Sequence, residues 1–415
     1  MKKFPVDNSA ILYLALIRKH HTNIFRFTVS LSEDIQPDVL QEAVNAVYKR
    51  FPTIFAGFRP GFFHYTQVSA AMPPKVAPDP GLLINMTHEE IANCAYRVYY
   101  QGNQVIIEGF HAATDGYGML ASISTLIAEY LKLKYDLIVP VGYPIFDVAE
   151  PPVAEELEDS YLKYADAKPI HLPSRYSYQL PGKNSKCGPV HRETLVYPVD
   201  TLLAGARKYG VSITALLSAV MASSIMELQH NRNEKHKHPV RIMVPIDLRK
   251  IFPSKTLRNF ILYALPTMEV SEYACSIKDL ALRFSQQIKD HLVKENLAGI
   301  ISYNVKTQKM FLYRMIPSKM KCALMRLAYR FFGESNSSLT MTNLGNIHLP
   351  EAMTPYVQSF ILTMMPRVSS PYNCGMYSYN GNFYINLCRF PKESQLEEIF
   401  ANKLRQALDE EVTHL

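Results

Sequence analysis

The 415-residue sequence has no tryptophan, no C-x-x-C pair, no G-x-S-x-G elbow and no phosphate-cradling P-loop. Each absence narrows the chemistry. Without the elbow or the P-loop, neither a hydrolase-type serine nor a nucleotide-phosphate cradle is in view. The six cysteines (Cys94, Cys187, Cys275, Cys322, Cys374 and Cys388) are widely and irregularly spaced. That argues against a thiolate zinc site and for reduced thiols in a cytoplasmic protein. No apolar run approaches the ~20 residues of a membrane span. Charge of one sign is also scarce, with 44 basic against 37 acidic residues and a formal net charge of +7. No RNA-binding or zinc-finger signature accompanies it, so no nucleic-acid partner is expected.

What is present is ordinary globular material, with 48% apolar residues, 26 Tyr and 20 Phe supplying the aromatic packing. The length allows two or three domains, each with a sizeable core. The opening MKKFPVDNSAILYLALIRKHH superficially resembles a signal peptide. Its apolar part is short, Pro5, Asp7 and Asn8 precede it, and no small-residue cleavage site follows. The expectation is a buried strand over Ala10 to Ile17.

Periodicity supplies the rest of the outline. Phe25, Phe27, Val29 and Leu31 alternate with Arg26, Thr28 and Ser30, which predicts a half-buried strand over Thr22 to Leu31. Pro37 opens a helix with Leu40, Val44, Val47 and Phe51 at helical spacing, stopped at Pro52. Arg97–Tyr100 and Gln104–His111 predict a hairpin around Gln101-Gly102-Asn103, and Met119 to Tyr135 a helix. Prolines recur between 136 and 190, consistent with a long crossover. The resulting division is an N-terminal lobe over 1–150, a linker over 151–190 and a C-terminal lobe over 191–415. In the last lobe, strands are expected at 193–199, 240–245, 338–342, 358–364 and 383–389. Helices are expected at about 201–209, 214–229 and 394–411. The tract Asn231 to His238 reads as a solvated loop.

One short segment carries chemistry. In HAATDGYG, 111–118, a histidine leaves a strand, an aspartate follows four residues on, and a glycine follows it. With 13 histidines, Asp at ~5% and Gly at ~7% of positions, about 0.05 chance matches are expected per chain. Placement at a strand end before a helix adds weight. The plain alternative is a turn histidine without a role. A His/Asp pair four apart can bind metal on a helix, but a strand and a glycine turn flank this one, so no metal is expected.

HAATDG resembles the H-x-x-x-D-G signature of the CoA-dependent acyltransferase superfamily, which includes chloramphenicol acetyltransferase, condensation domains and alcohol acetyltransferases. Three other segments fit that pattern in order. They are the opening strand, helix and RFP (25–52), VPIDLRKIFPSKTLRNF (244–260), and TMTNLG (340–345). The resemblance implies a two-lobed α/β (α+β) fold, each lobe a mixed sheet with helices, and a channel between the lobes. It implies transfer of an acyl group from acyl-CoA, or from a carrier-protein thioester, to a small-molecule or lipid alcohol or amine. His111 would be the general base. Asp115 and Gly116 would shape the loop, with Asp115 paired to an arginine. Arg249 is the preferred partner and Arg50 of RFP the alternative. Thr342, Asn343 and Asn259 would contact the oxyanion or the substrate. No metal or bound cofactor is required; acyl-CoA or the carrier protein enters as co-substrate.

Some positions depart from the pattern. Phe110 stands where condensation domains carry a first histidine, and Arg258 where many members have glycine before the asparagine. A catalytically idle binding protein on the same fold therefore remains a rival. A second rival, a membrane-surface lipid-modifying acyltransferase, comes from 303–333. That stretch holds seven basic residues (Lys306, Lys309, Arg314, Lys319, Lys321, Arg326, Arg330) and no acid. Lys319 to Phe332 reads as a helix packing Met320, Ala323, Leu324, Leu327, Ala328 and Phe331 inward. Its basic face is a solvated surface, a membrane contact, or an attractor of CoA phosphates or an acidic carrier.

Overall fold

The computed structural model describes residues 1–409 apart from 19–20, 82, 183–188, 233–235, 368–369 and 393–394; the side chains of 312, 331 and 332 also lie outside the description. Parts of the tract 231–238, the Ser394 helix start and the side chain of Phe331 therefore fall outside it.

The first half runs β1 (Lys3–Pro5), α1 (Asn8–Ala15), β2 (Ile24–Leu31), α2 (Pro37–Val47), β3 (Ala56–Pro60), β4 (Tyr65–Ser69), β5 (Val76–Pro78), α3 (His88–Asn93), β6 (Tyr96–Gln101), β7 (Gln104–Phe110) and α4 (Gly116–Tyr135). Two short turns of helix follow, α5 (Ala154–Leu157) and α6 (Ser160–Lys163). The second half runs β8 (His191–Pro198), α7 (Val199–Lys208), α8 (Ile213–Asn231), β9 (Val240–Asp247), β10 (Ile261–Ala264), β11 (Thr267–Met268), α9 (Ile277–His291), α10 (Lys294–Lys309), α11 (Phe311–Met315) and α12 (Ser318–Ala328). It ends with β12 (Leu339–Asn346), β13 (Val357–Met364), β14 (Tyr372–Tyr379), β15 (Asn382–Arg389) and α13 (Leu396–Asp409).

The strands form two mixed sheets and a small one. A five-stranded sheet is ordered β13-β2-β7-β6-β5, and a seven-stranded sheet β10-β9-β12-β14-β15-β8 with β11 also on β9. β1, β4 and β3 make the third. The first sheet takes one strand from far along the chain: β13 pairs antiparallel with β2, from Val357 opposite Leu31 to Met364 opposite Phe25. β12 and β14, on either side of it in sequence, lie parallel to each other in the second sheet. The α/β class and the two-lobed architecture expected from the sequence hold. One core gathers around β2, α2 and α4, another around α8 against the second sheet.

Four local expectations change. Residues 10–17 are not a strand. The Asp7 carboxylate accepts from the Ala10 N–H at 2.8 Å and caps α1, whose Ala10, Leu14 and Ala15 share the buried side. β2 is buried on both faces, not half-buried, because Arg26 is neutralised by Asp79 and by Glu108 at 3.3 Å. β14 was not foreseen; all eight of its residues are buried, so no polar alternation marks it. Finally, α12 lies the other way round from its expected orientation. Met320, Leu324 and Leu327 are about half exposed, whereas Lys321 is buried.

No single helix among the described residues is long and apolar enough to cross a membrane.

Candidate active site

β6 and β7 form a hairpin in which Gly102 adopts φ +54°, a left-handed turn that glycine takes without strain. β7 is paired on both sides and delivers His111 at its end. The His111 N–H still donates to the Asn23 carbonyl at 2.8 Å, one bond beyond the strand. The imidazole lies under two rings. Tyr13 of α1 stacks on it at 4.4 Å between centroids, 14° from parallel, and Phe25 of β2 lies 4.8 Å away, tilted by 44°. Phe110, the residue before it, is fully buried and packs edge-on to Phe58.

Burial holds the His111 pKa below the ordinary histidine value, against the opposing pull of the Asp115 charge and of Asn259. The neutral ring is therefore the form present at neutral pH. Its Nδ1 is buried and takes no hydrogen bond among the described residues, and the Oδ1 of Asn259 is likewise unpartnered. The Asn259 amide donates to the Ala112 carbonyl at 3.3 Å, so its side chain sits beside the 111–115 loop.

The Asp115 carboxylate is engaged by four partners other than the ring and holds the loop. Its Oδ1 accepts from the N–H groups of Tyr117 and Gly118 (3.1 and 3.3 Å), capping α4. Its Oδ2 accepts from the Phe260 N–H and from Arg249 Nη1, both at 2.9 Å. Arg249 also donates to Asp247, to the Thr256 carbonyl at 2.9 Å and to the Arg258 carbonyl at 2.6 Å. Its guanidinium lies 4.4 Å from the Tyr117 ring centre. Arg50 goes elsewhere: it grips Glu156 through two bonds of 2.6 and 2.8 Å and does not join Asp115.

Gly116 serves differently from the tight turn expected of it. Its φ is not left-handed; a Cβ there would come within 2.5 Å of Leu344 Cδ2 on β12. Thr342 pairs with Gly375, whose absent Cβ would point at Leu362 and Met364 of β13, so Thr342 lies on the face turned to the first sheet. The Thr342 hydroxyl makes no hydrogen bond among the described residues. Asn343 projects from the opposite face; its amide donates to Thr214 of α8 at 3.0 Å and its carbonyl accepts from the Gly345 N–H at 2.9 Å.

Arg258 is 1% exposed and reaches the N-terminal segment. Its Nη2 donates to the Pro5 carbonyl at 2.6 Å, and its Nε lies 3.7 Å from the buried Asp7 carboxylate. Burial pushes the Asp7 pKa up, with the Arg258 charge opposing. Two cavities are present away from the histidine. One of about 580 Å³ is lined by Met1, Tyr48, Arg50 and Ala149, and one of about 270 Å³ by Thr125, Glu129, Asp136 and Phe146. Neither has His111 in its lining. Among the described residues, no group of three or more His, Cys, Asp or Glu side chains gathers as a metal site.

No protein-family model and no curated protein matches this sequence. Solved structures do, along almost the whole chain. Polyketide synthase associated protein 5 from Mycobacterium tuberculosis aligns over 98% of this chain and 97% of its own, with a TM-score of 0.62 at 14% identity. The TRI3 trichothecene 15-O-acetyltransferase from Fusarium sporotrichioides aligns over 98% and 95%, with a TM-score of 0.61 at 11% identity. The fold is that of the CoA-dependent acyltransferases and condensation domains. A third match, the starter condensation domain of rhizomide synthetase RzmA solved with C8-CoA and Leu-SNAC, covers 98% and 93%, with a TM-score of 0.57 at 14% identity.

On this acyltransferase-type fold, two residues of the site escaped sequence reasoning. Tyr13 was hidden by the strand reading of 10–17, although Asp7-Asn8 ahead of an apolar run is a helix-start signal. Gly118 looked like the lead into a helix. A Cβ there would meet the Leu257 carbonyl oxygen and the Thr114 hydroxyl at 2.2 Å. Only a residue without a side chain lets the two halves touch at that point.

Proposed function

We propose that the protein transfers an acyl group from a thioester, acyl-CoA or a carrier-protein adduct, to an alcohol or amine, with His111 as general base. The observation that carries this reading is the tie between halves at the histidine loop. Asp115 caps α4 from the first half while accepting from Arg249 and Phe260 of the second. A neutral imidazole held there can take the proton of an acceptor as it attacks the thioester carbonyl. The oxyanion then requires a donor, and Thr342 is the better placed of the two β12 candidates, since Asn343 is already engaged with Thr214. Thiolate departs, and neither a metal nor a covalent enzyme intermediate enters. In this reading the site lies between an N-terminal lobe (1–150) and a C-terminal lobe (191–415), and Tyr13 must yield for substrate to reach His111.

The rival reading, an idle binding protein, draws on that same Tyr13 and Phe25 cover. One experiment separates them. The full-length protein is mixed with a panel of acyl-CoA donors and candidate alcohols and amines, thiol release is followed, and products are identified by mass spectrometry. Transfer is expected, and His111→Ala should lower it by ~10²–10⁴-fold with an unchanged circular dichroism spectrum. Equal rates in the variant and the parent would overturn the role of His111.

A further inference from the structure

The helical layer from Tyr303 to Arg330 has the wrong side out for a core-packed element. α12 is fixed from its inner side by polar bonds. The Ser318 N–H and hydroxyl donate to the Phe62 and Gly61 carbonyls (2.7 and 2.6 Å), and the buried Lys321 ammonium donates to the Phe63 carbonyl at 3.0 Å. These bonds clamp the helix onto the loop between β3 and β4. The apolar stripe is left facing outward. Met320, Leu324 and Leu327 are 49–54% exposed, and Phe311 of α11 is 75% exposed. Phe62, on the clamped loop, is 73% exposed. Two separate parts of the chain thus present bare aromatic rings on neighbouring elements.

The charge around the stripe is of one sign. Of the seven basic residues, Lys321 and Arg326 turn inward, and Lys306, Lys309, Arg314, Lys319 and Arg330 stay exposed. None of these five forms an ion pair among the described residues, and the stretch contains no acid of its own. Unpaired cations bordering exposed Phe, Leu and Met match an anionic lipid surface on both counts. Headgroups meet the cations, and the interfacial acyl region takes the rings. An acidic protein would answer the cations but not the apolar stripe between them.

We propose that α11, the α12 stripe and the Phe62 loop form a docking surface for an anionic lipid bilayer. The surface rests on the element that covers the histidine. Arg326 Nη1 contacts the Ala15 carbonyl at the end of α1 at 3.5 Å, Gln308 of α10 donates to the Asn8 carbonyl at 3.1 Å, and α1 carries Tyr13. Docking would set the covered side of the site toward the membrane.

The test is co-sedimentation of the full-length protein with vesicles of phosphatidylcholine alone and of phosphatidylcholine with phosphatidylglycerol, at low and high salt. Binding is expected only with phosphatidylglycerol and should weaken as salt rises. Neutralising Lys309→Gln together with Arg314→Gln should weaken it about 25-fold, roughly fivefold per cation. Phe311→Ser with Leu324→Ser should reduce it with the charges intact. Thermal melts of both variants, matching the parent, show that the surface alone has changed. No binding of the parent to phosphatidylglycerol vesicles at low salt overturns the proposal. So does unchanged binding in both variants, or binding to an acidic carrier protein without binding to vesicles. No step of this test uses acyl transfer, so its failure leaves the proposed reaction standing and the reverse also holds.

Discussion

Replacing Arg249 by methionine keeps most of the side-chain volume and removes every donor. The cost follows from what each partner retains. Asp115 is 2% exposed and would keep the N–H groups of Tyr117, Gly118 and Phe260, so its charge is not abandoned entirely. The Thr256 and Arg258 carbonyls would each lose a donor, and Asp247 its ion-pair partner. Breaking a buried pair from one side typically costs about 3–5 kcal/mol. The three surviving N–H bonds place Arg249→Met toward the lower end, about 3 kcal/mol, and the two orphaned carbonyls, at about 1 kcal/mol each, bring it to roughly 5. Urea unfolding followed by far-ultraviolet circular dichroism measures it, and the lack of tryptophan makes that the natural probe. The decisive reading is a double-mutant cycle with Asp115→Ala. If the two side chains act as one latch, the double variant should be more stable than the sum of the single losses predicts, by 1 kcal/mol or more. Additivity within about 0.5 kcal/mol would refute the latch.

Two further outcomes follow from the same geometry. The His111 pKa is held down by burial, so its neutral form persists below the ordinary histidine value of 6.5. The associated stability is present above that value and is lost as pH falls through the lower folded one. The transfer rate should therefore be flat through neutrality with its acid limb below 6.5. Tyr13→Ala, by opening the ring to water, should move that limb upward, and an acid limb above 7 in the parent contradicts the assignment. Gly118→Ala should destabilise by roughly 1–3 kcal/mol, because its new Cβ meets backbone at Leu257. Gly116→Ala, which meets only the tip of the Leu344 side chain, should cost less; equal shifts in urea midpoint would contradict the close-approach argument.

The sequence was most readable where local order and chemistry coincide. A short apolar run, a histidine at its end and an aspartate able to cap the next helix all lie within fifteen residues, 104–118, and need no distant partner to be recognised. Legibility failed where a distant partner reversed the local signal. Arg26 looks solvated until Asp79 and Glu108 are brought to it. β14 shows no alternation because sheet and helices cover it on both sides. In α12 the polar residues found backbone carbonyls on the Gly61–Phe63 loop, some 255 residues earlier, and turned inward to them. Periodicity identifies a helix and its stripe; it does not tell which side the rest of the chain will claim.

The pairing of β13 with β2 sets an order of events during synthesis. The edge of β2 that β13 covers has no partner until residues 357–364 have left the ribosome, more than 300 residues after β2 itself. For most of translation, then, the first sheet carries an open edge at Ile24–Leu31, rich in Phe, Val and Ile. Open edges of that kind pair readily with other chains. A fragment ending anywhere before β13 should therefore behave as a sticky, unfinished sheet, and its rescue should require supplying the missing strand.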